Sequence, residues 1–202
     1  MKTSLAFGMA VEGMNNGLEV STCDLDTEHR SLAEHRQQRE SQGIEPLFEV
    51  MEAGNARDAV KRGQGSNLYI IDCPSRATAA TLEVAKEVDL VVQPTTTSRK
   101  DLDLAIKTFY QLVLSGVPIE RLLFVITRVS TAARLRDAQE YLRQAEITEK
   151  RFNVLTSAVW EKPGYEMALN DGYSIVETIF PSLNTASRAV VHEILTQCLR
   201  HD

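Results

Sequence analysis

The run Leu68-Tyr69-Ile70-Ile71-Asp72-Cys73-Pro74 constrains this chain more than any other stretch. A short, nearly unbroken apolar segment with β-branched residues, led in by Gly63, Gly65, Ser66 and Asn67, reads as a strand covered on both faces. Strands of that kind belong to parallel sheets with helices on either side. In such sheets ligands bind just beyond the carboxyl ends of the strands. Asp72 stands at that end, and Pro74 turns the chain after it. The aspartate reads either as an ordinary turn carboxylate or as a group that holds a metal and its phosphates.

The rest of the chain alternates in the same way. An apolar pattern from Leu5 to Val11 suits a buried helix and is ended by Asn15-Asn16-Gly17. Residues 18–23 read as a strand that runs into Asp24-Leu25-Asp26, a second acidic strand end. The charged stretch 29–42 reads as an exposed helix or ordered loop, with His29 and His35 on the surface. Pro46 opens a helix-like stretch over 47–60. Strands are then expected at 68–72, 89–94, 121–127 and 154–159, and helices at 78–86, 99–114, 131–145, 165–169 and 183–199. This order of strand and helix is that of βαβ crossovers. The expected fold class is α/β, a three-layer, mostly parallel sheet with helices on both faces. A length of 202 residues with 43% apolar content favours a single domain.

The net charge of -6 is unevenly placed, with 12 basic and 18 acidic side chains in residues 1–120 and 10 of each in residues 121–202. That excludes a basic nucleic-acid footprint over the whole chain and leaves a local patch in the C-terminal part open. Cys23, Cys73 and Cys198 are odd in number and lack metal-ligand spacing, so neither a disulfide framework nor a zinc site is expected, and a reducing cytoplasm fits. There is no signal peptide with a small-residue cleavage site, and no apolar run reaches the roughly 18 to 20 residues of a spanning helix. Residues 186–202 lack the strongly basic amphipathic character of a membrane-targeting helix, so no membrane partner is expected.

Lys2-Thr3-Ser4 opens the first helix as the lysine-hydroxyl end of a phosphate-binding loop would. Five further stretches follow it in order: Asp24-Leu25-Asp26, Asp72-Cys73-Pro74, Val91-Val92-Gln93-Pro94-Thr95, Phe124-Val125-Ile126-Thr127-Arg128, and a late pattern of Tyr165, Ala168, Gly172 and Ile175-Val176-Glu177. In this order and spacing the sequence resembles, over nearly its whole length, the ParA/MinD group of deviant Walker P-loop ATPases, the small plasmid-partition ParA proteins above all. The family loop reads K-G-G-x-G-K-[ST]-[ST], followed by D-x-D-P and D-x-P motifs. This sequence departs from it in three places. Met1 stands where the family has the glycine before the loop lysine, and the first strand, the glycines and the signature lysine are absent. Thr27 replaces the proline after Asp26. Ser75 replaces a second proline after Pro74. A truncated reading frame or fragment is the favoured account, and a naturally shortened, non-hydrolysing relative is the alternative.

The resemblance implies ATP and Mg²⁺ as cofactors. Lys2 would neutralise β/γ-phosphate charge, Thr3 would ligate Mg²⁺ beside Ser4, and Asp72 would hold the magnesium shell. Asp26 would orient or activate the attacking water, and Thr127 and Arg128 would contact the base. These are sensible roles, because phosphoryl transfer is mainly positioning and charge stabilisation. Residues 1–202 alone are expected to bind ATP poorly without the loop N–H groups. The implied protein is an ATPase that dimerises around ATP and acts in plasmid or chromosome partitioning with a centromere-binding adaptor protein. Non-specific DNA would be met through Arg134, Arg136, Arg143, Lys150, Arg151 and Arg188. Arg136 and Arg143 share a helix face, and Lys150 continues the interval if the helix reaches it. Two alternatives are carried: a non-hydrolysing ParA-like binding protein without a complete phosphate loop, and a MinD-like or conjugation-related positioning ATPase.

Overall fold

A computed structural model describes residues 1–63, 65–74, 78–147 and 149–199, so Ser75 and the last three residues lie outside it. In chain order the elements are α1 (Lys2–Asn15), β1 (Val20–Asp24), α2 (Ser31–Ser41), β2 (Glu49–Glu52), α3 (Ala56–Lys61), β3 (Leu68–Asp72), α4 (Ala79–Glu87), β4 (Val91–Thr95) and α5 (Arg99–Leu114). They continue as β5 (Leu122–Val129), α6 (Ala132–Gln144), β6 (Glu146–Ile147), β7 (Lys150–Arg151), β8 (Asn153–Trp160), α7 (Pro163–Asn170) and α8 (Pro181–Cys198). The fold class is three-layer α/β, with parallel sheets flanked by helices. Among the described residues no helix is long and apolar enough to cross a membrane. The chain forms two compact units, Met1–Val84 with Pro163–Val191, and Ala85–Lys162 with the residues from His192 on.

The first unit is built on a sheet of order β2-β1-β3. Every residue of β1 is buried, although two of them carry hydroxyls. Burying a hydroxyl is costly unless it finds a partner. Thr22 Oγ1 donates to the Glu49 carbonyl at 3.0 Å, and the Ser21 and Ser66 hydroxyls share a hydrogen bond of 2.5 Å. Helix α1 is buried from Ser4 through Gly13, as its apolar pattern requires. Gly8 is needed there for packing, since a Cβ on it would stand 2.8 Å from the Ile175 side chain.

Two expectations are corrected in this unit. Residues 47–60 are not one helix: Glu49–Glu52 pairs in parallel with Ser21–Asp24, and helix begins only at α3. The free side of β1 supplies a full ladder of backbone partners, and such partners outweigh weak helix propensity. Gly54 then interrupts the chain, and Asn55 caps α3 by accepting from the Asp58 amide at 2.9 Å. Nor is α2 an exposed helix. Leu32, His35 and Arg39 fall at positions i, i+3 and i+7, which share one face. Leu32 and Arg39 are fully buried, and the His35 ring stacks on Phe7 at 5.5 Å with the planes 5° apart. Burial there lowers the His35 pKa.

The second unit carries the sheet β4-β5-β8. All of β5 except Arg128 is buried. Phe124 of β5 stacks on Phe109 of α5 at 4.1 Å, and Phe152 lies 5.6 Å from Phe124. The register of β8 slips between Val154 and Ala158, which face Phe124 and Ile126. The surplus residues find a partner outside the ladder. The Thr156 and Ser157 amides donate to the Glu193 carboxylate at 2.8 and 3.0 Å, and both hydroxyls add to it. Burial works to raise the Glu193 pKa, but these hydrogen bonds prevail and lower it.

Helix α6 stops at Gln144, and Lys150 sits instead on the short antiparallel hairpin of β6 and β7. Strands of two residues leave no periodic signal. Arg136 and Arg143 are both on α6, as expected, but Lys150 does not extend their face.

Arg128 interrupts the end of β5 with a left-handed φ of 53° at a second register shift against β8. A non-glycine side chain pays about 1 kcal/mol or more to sit there. Arg128→Gly is therefore expected to raise stability by up to about 1 kcal/mol, which urea unfolding can measure.

Candidate functional site

The parallel register of β1 and β3 sets Asp24 directly beside Asp72 at the carboxyl ends of both strands. The Leu25 amide donates to the Asp72 carbonyl at 2.9 Å and carries the pairing one step further. Helix α1 starts over these ends, so its first residues reach them. Lys2 Nζ donates to the Pro74 carbonyl at 2.5 Å, and the Thr3 side chain comes near enough to the Asp72 carboxyl to draw its pKa down. Lys2, Thr3, Asp26 and Asp72, four of the residues singled out from sequence, thus belong to one cluster at the carboxyl ends of β1 and β3.

The three carboxylates of the cluster have different work. Asp24 is 1% exposed and ties the turn after β1 together: Oδ1 accepts from the Asp26 amide at 3.0 Å and Oδ2 from the Leu32 amide at 3.1 Å. Asp26 is partly exposed. Its Oδ1 accepts from the His29 amide at 3.2 Å and lies 3.1 Å from His29 Nδ1. The hydrogen bond from the His29 ring, foremost, lowers the Asp26 pKa. Asp72 is 6% exposed, and burial pushes its pKa up to about 6, against the pull of the Thr3 hydroxyl and the Lys2 ammonium. Lys2 is affected in the opposite sense: burial lowers its pKa, while Asp72, Cys73 and Asp26 raise it.

A buried carboxyl without a full set of partners is a cost to the fold, and such groups gather at functional sites. The sign of that cost can be tested. Below about pH 3 Asp72 is neutral both folded and unfolded, whereas at pH 7 the folded state must hold a buried charge. Asp72→Asn is therefore expected to stabilise the protein on the order of 2 kcal/mol at pH 7 and to leave it unchanged at about pH 3. Urea unfolding at the two pH values checks this.

The cluster suits a hard cation. Among the described residues, no three His, Cys, Asp or Glu side chains stand together to hold a metal unaided. Mg²⁺ does not need such a cage, because it is commonly bound by one or two protein oxygens together with phosphates and waters. The Asp72 carboxylate and Thr3 hydroxyl are oxygen donors near one another, and Lys2 is in no ion pair among the described residues. Cys73 adds nothing as a ligand. Burial pushes its thiol up to about 12, so the thiolate a metal needs is absent near neutral pH.

Other sequence candidates are placed elsewhere. Ser4 is buried within α1. Thr127 and Arg128 belong to the second unit, at the carboxyl end of β5. Thr127 is buried and its hydroxyl donates to the Thr95 carbonyl at 3.1 Å, which ties β5 to β4. Arg128 is exposed. Of the basic side chains, Lys150 pairs with Glu120 at 2.6 Å, Arg188 with Glu12 at 3.3 Å and Arg151 with Glu146 at 3.9 Å. Arg134, Arg136 and Arg143 have no ion pair among the described residues.

Two residues in this unit escaped sequence reasoning. His29 was expected only as a surface residue. Arg39 has no exposed surface, and its guanidinium forks onto Glu177 with two bonds of 2.8 Å. It also donates to the carbonyls of Pro46 at 2.9 Å and Glu45 at 2.7 Å. Glu177 in turn accepts from the Ser174 amide at 3.0 Å and hydroxyl at 2.8 Å. This clamp explains the late pattern around Gly172 and Glu177. Gly172 adopts a φ of +84°, and a Cβ on it would stand 3.2 Å from the Arg39 backbone. The one available signal was the seven-residue interval from Leu32.

No protein-family model and no curated protein matches the chain. Solved structures do. The septum site-determining protein MinD from Pyrococcus horikoshii OT3, complexed with Mg-ADP, superposes with a TM-score of 0.73 at 16% identity over 100% of this chain and 93% of that one. The fold is that of the MinD and ParA-type ATPases. MinD in the MinC:MinD cell division protein complex from Aquifex aeolicus gives a TM-score of 0.71 at 12% identity, over 96% of this chain and 90% of that one. A putative plasmid partition protein from Borrelia burgdorferi B31, bound to AMPPNP, gives 0.65 at 14% identity over 96% and 93%. The MinD/ParA fold bears out the α/β class and the resemblance read from the motifs.

Proposed function

We propose that the chain is a Mg²⁺-dependent ATPase of the MinD/ParA type, which dimerises around ATP and acts in plasmid or chromosome partitioning through an adaptor protein. One observation carries this reading. A buried carboxyl, Asp72, stands at the carboxyl ends of two parallel strands with Thr3 and Lys2 of α1 near it, both drawing its pKa down. The fold is shared with proteins solved with Mg-ADP and AMPPNP. When bound, Mg²⁺ would supply positive charge against the phosphates. Lys2 would turn from the Pro74 carbonyl toward the phosphates, Thr3 and Asp72 would hold the metal, and Asp26 would orient water.

An adaptor is supported by the MinC partner of the Aquifex aeolicus protein. DNA contact would rest on Arg136 and Arg143, which share a face of α6. Arg134 is half a turn away from Arg143, and the other three candidates are paired with carboxylates.

The test is phosphate release from ATP by the chain joined to a complete phosphate loop, measured with sedimentation velocity on the same sample. Mg²⁺-dependent turnover and an ATP-driven shift to a dimer are expected. ATP binding without turnover would favour a non-hydrolysing binding protein, and no response to ATP in either measurement would reject the reading.

A further inference from the structure

Asp26 is fixed by a side chain that belongs to none of the acidic motifs. His29 approaches one oxygen of the carboxylate twice, through its amide at 3.2 Å and its ring Nδ1 at 3.1 Å. The loop around the pair is itself held. The Asp26 amide donates to Asp24 Oδ1, and the Arg30 amide donates to the Asp26 carbonyl at 2.8 Å. With Oδ1 fixed by two donors, the carboxylate plane is set, and with it the direction in which Oδ2 faces.

We propose that His29 is the positioning residue for Asp26, holding its carboxylate in the orientation that presents an oxygen to the attacking water. This rests on the hydrolytic reading above. A carboxylate can only accept here, so a neutral His29 must carry its proton on Nδ1. The ring thus holds Asp26 whether neutral or charged, but not equally. As imidazolium it pairs with the carboxylate as an ion and draws down its basicity. The Asp26 bond raises the His29 pKa, so the ring becomes charged at a higher pH than a free histidine would. The other charged groups facing the pair are Glu28 beside it, Glu34 of α2 and Lys2 of α1. Arg30 next to it is occupied by Glu52 of β2.

The experiment uses the full-length protein and follows Mg-ATP turnover between about pH 5 and 8, beside nitrogen-15 NMR of the imidazole. The wild type is expected to lose rate on the acid side as His29 becomes charged. His29→Ala should lower kcat at saturating Mg-ATP by about tenfold or more, leave KM at pH 8 within about twofold, and keep only the part of the acid limb that Mg-ATP affinity shares through Asp72. His29→Asn, whose side-chain N–H can donate to Oδ1, should restore most of the rate with that same reduced acid limb. The ring should titrate at lower pH in Asp26→Asn than in wild type. The 70% exposed His29 side chain makes loss of folding in these variants a minor concern, and thermal melts check it. Turnover in His29→Ala equal to wild type with the same acid limb, or a ring titration indifferent to Asp26→Asn, overturns the proposal alone. No turnover by wild type at any pH overturns the hydrolytic reading and this inference with it.

Discussion

Arg39→Ala is expected to destabilise the protein by about 3–5 kcal/mol, because it removes one partner of a buried ion pair and leaves the other without compensation. Glu177 is 16% exposed and would keep only its bonds from Ser174. The carbonyls of Glu45 and Pro46 would lose their donor, and a space would open beneath Phe7, whose ring lies 5.9 Å from the guanidinium. Arg39→Lys should recover little, since a single ammonium cannot fork onto two carboxylate oxygens. Removing both charges together as Arg39→Met and Glu177→Leu should cost less than Arg39→Ala alone, since no lone charge remains buried. Urea unfolding of wild type, Arg39→Met, Glu177→Leu and the double variant gives the coupling directly. A loss below about 1 kcal/mol for Arg39→Ala would mean that the pair is solvated, as surface pairs are.

The second large effect concerns chemistry. In a protein with a complete phosphate loop, Asp26→Ala is expected to lower ATP turnover by about 100-fold or more while Mg-ATP affinity stays within about threefold, because on the proposed reading Asp26 would act on water and not on the phosphates. Asp72→Ala should lose both, since it removes the carboxylate placed to hold Mg²⁺ beside Thr3. Stopped-assay kinetics and equilibrium binding on the same preparations separate the two. Equal loss of binding and rate in Asp26→Ala would give that residue a structural role like that of Asp24.

The two acidic strand ends were legible because a buried parallel strand leaves a simple mark, an apolar run closed by a turn, and ligand chemistry falls at its end. The division of labour at Asp24-Leu25-Asp26 was not. Both aspartates are alike in sequence, and only the fold shows that Asp24 holds the amides of Asp26 and Leu32 while Asp26 meets His29. Arg39 was hidden for another reason. Its partner Glu177 is 138 residues away, so nothing local marks that arginine as buried. The stretch 47–60 misled because helix-tolerant residues sit where the free edge of β1 needs a strand. Ladder bonds formed across the chain decided that segment.

The account stands or falls on whether the Lys2, Thr3 and Asp72 cluster binds Mg-ATP. Calorimetry of ATP binding by the chain joined to a complete phosphate loop, with and without Mg²⁺ and on either side of pH 6, tests it most directly. Metal binding needs the Asp72 carboxylate ionised, and its pKa is raised to about 6. The predicted result is binding that Mg²⁺ strengthens, that strengthens further as the pH rises from 5 to 7, and that Asp72→Ala reduces to the metal-free level. Affinity that ignores Mg²⁺, pH and Asp72 alike, or no heat of binding under any of these conditions, would contradict it.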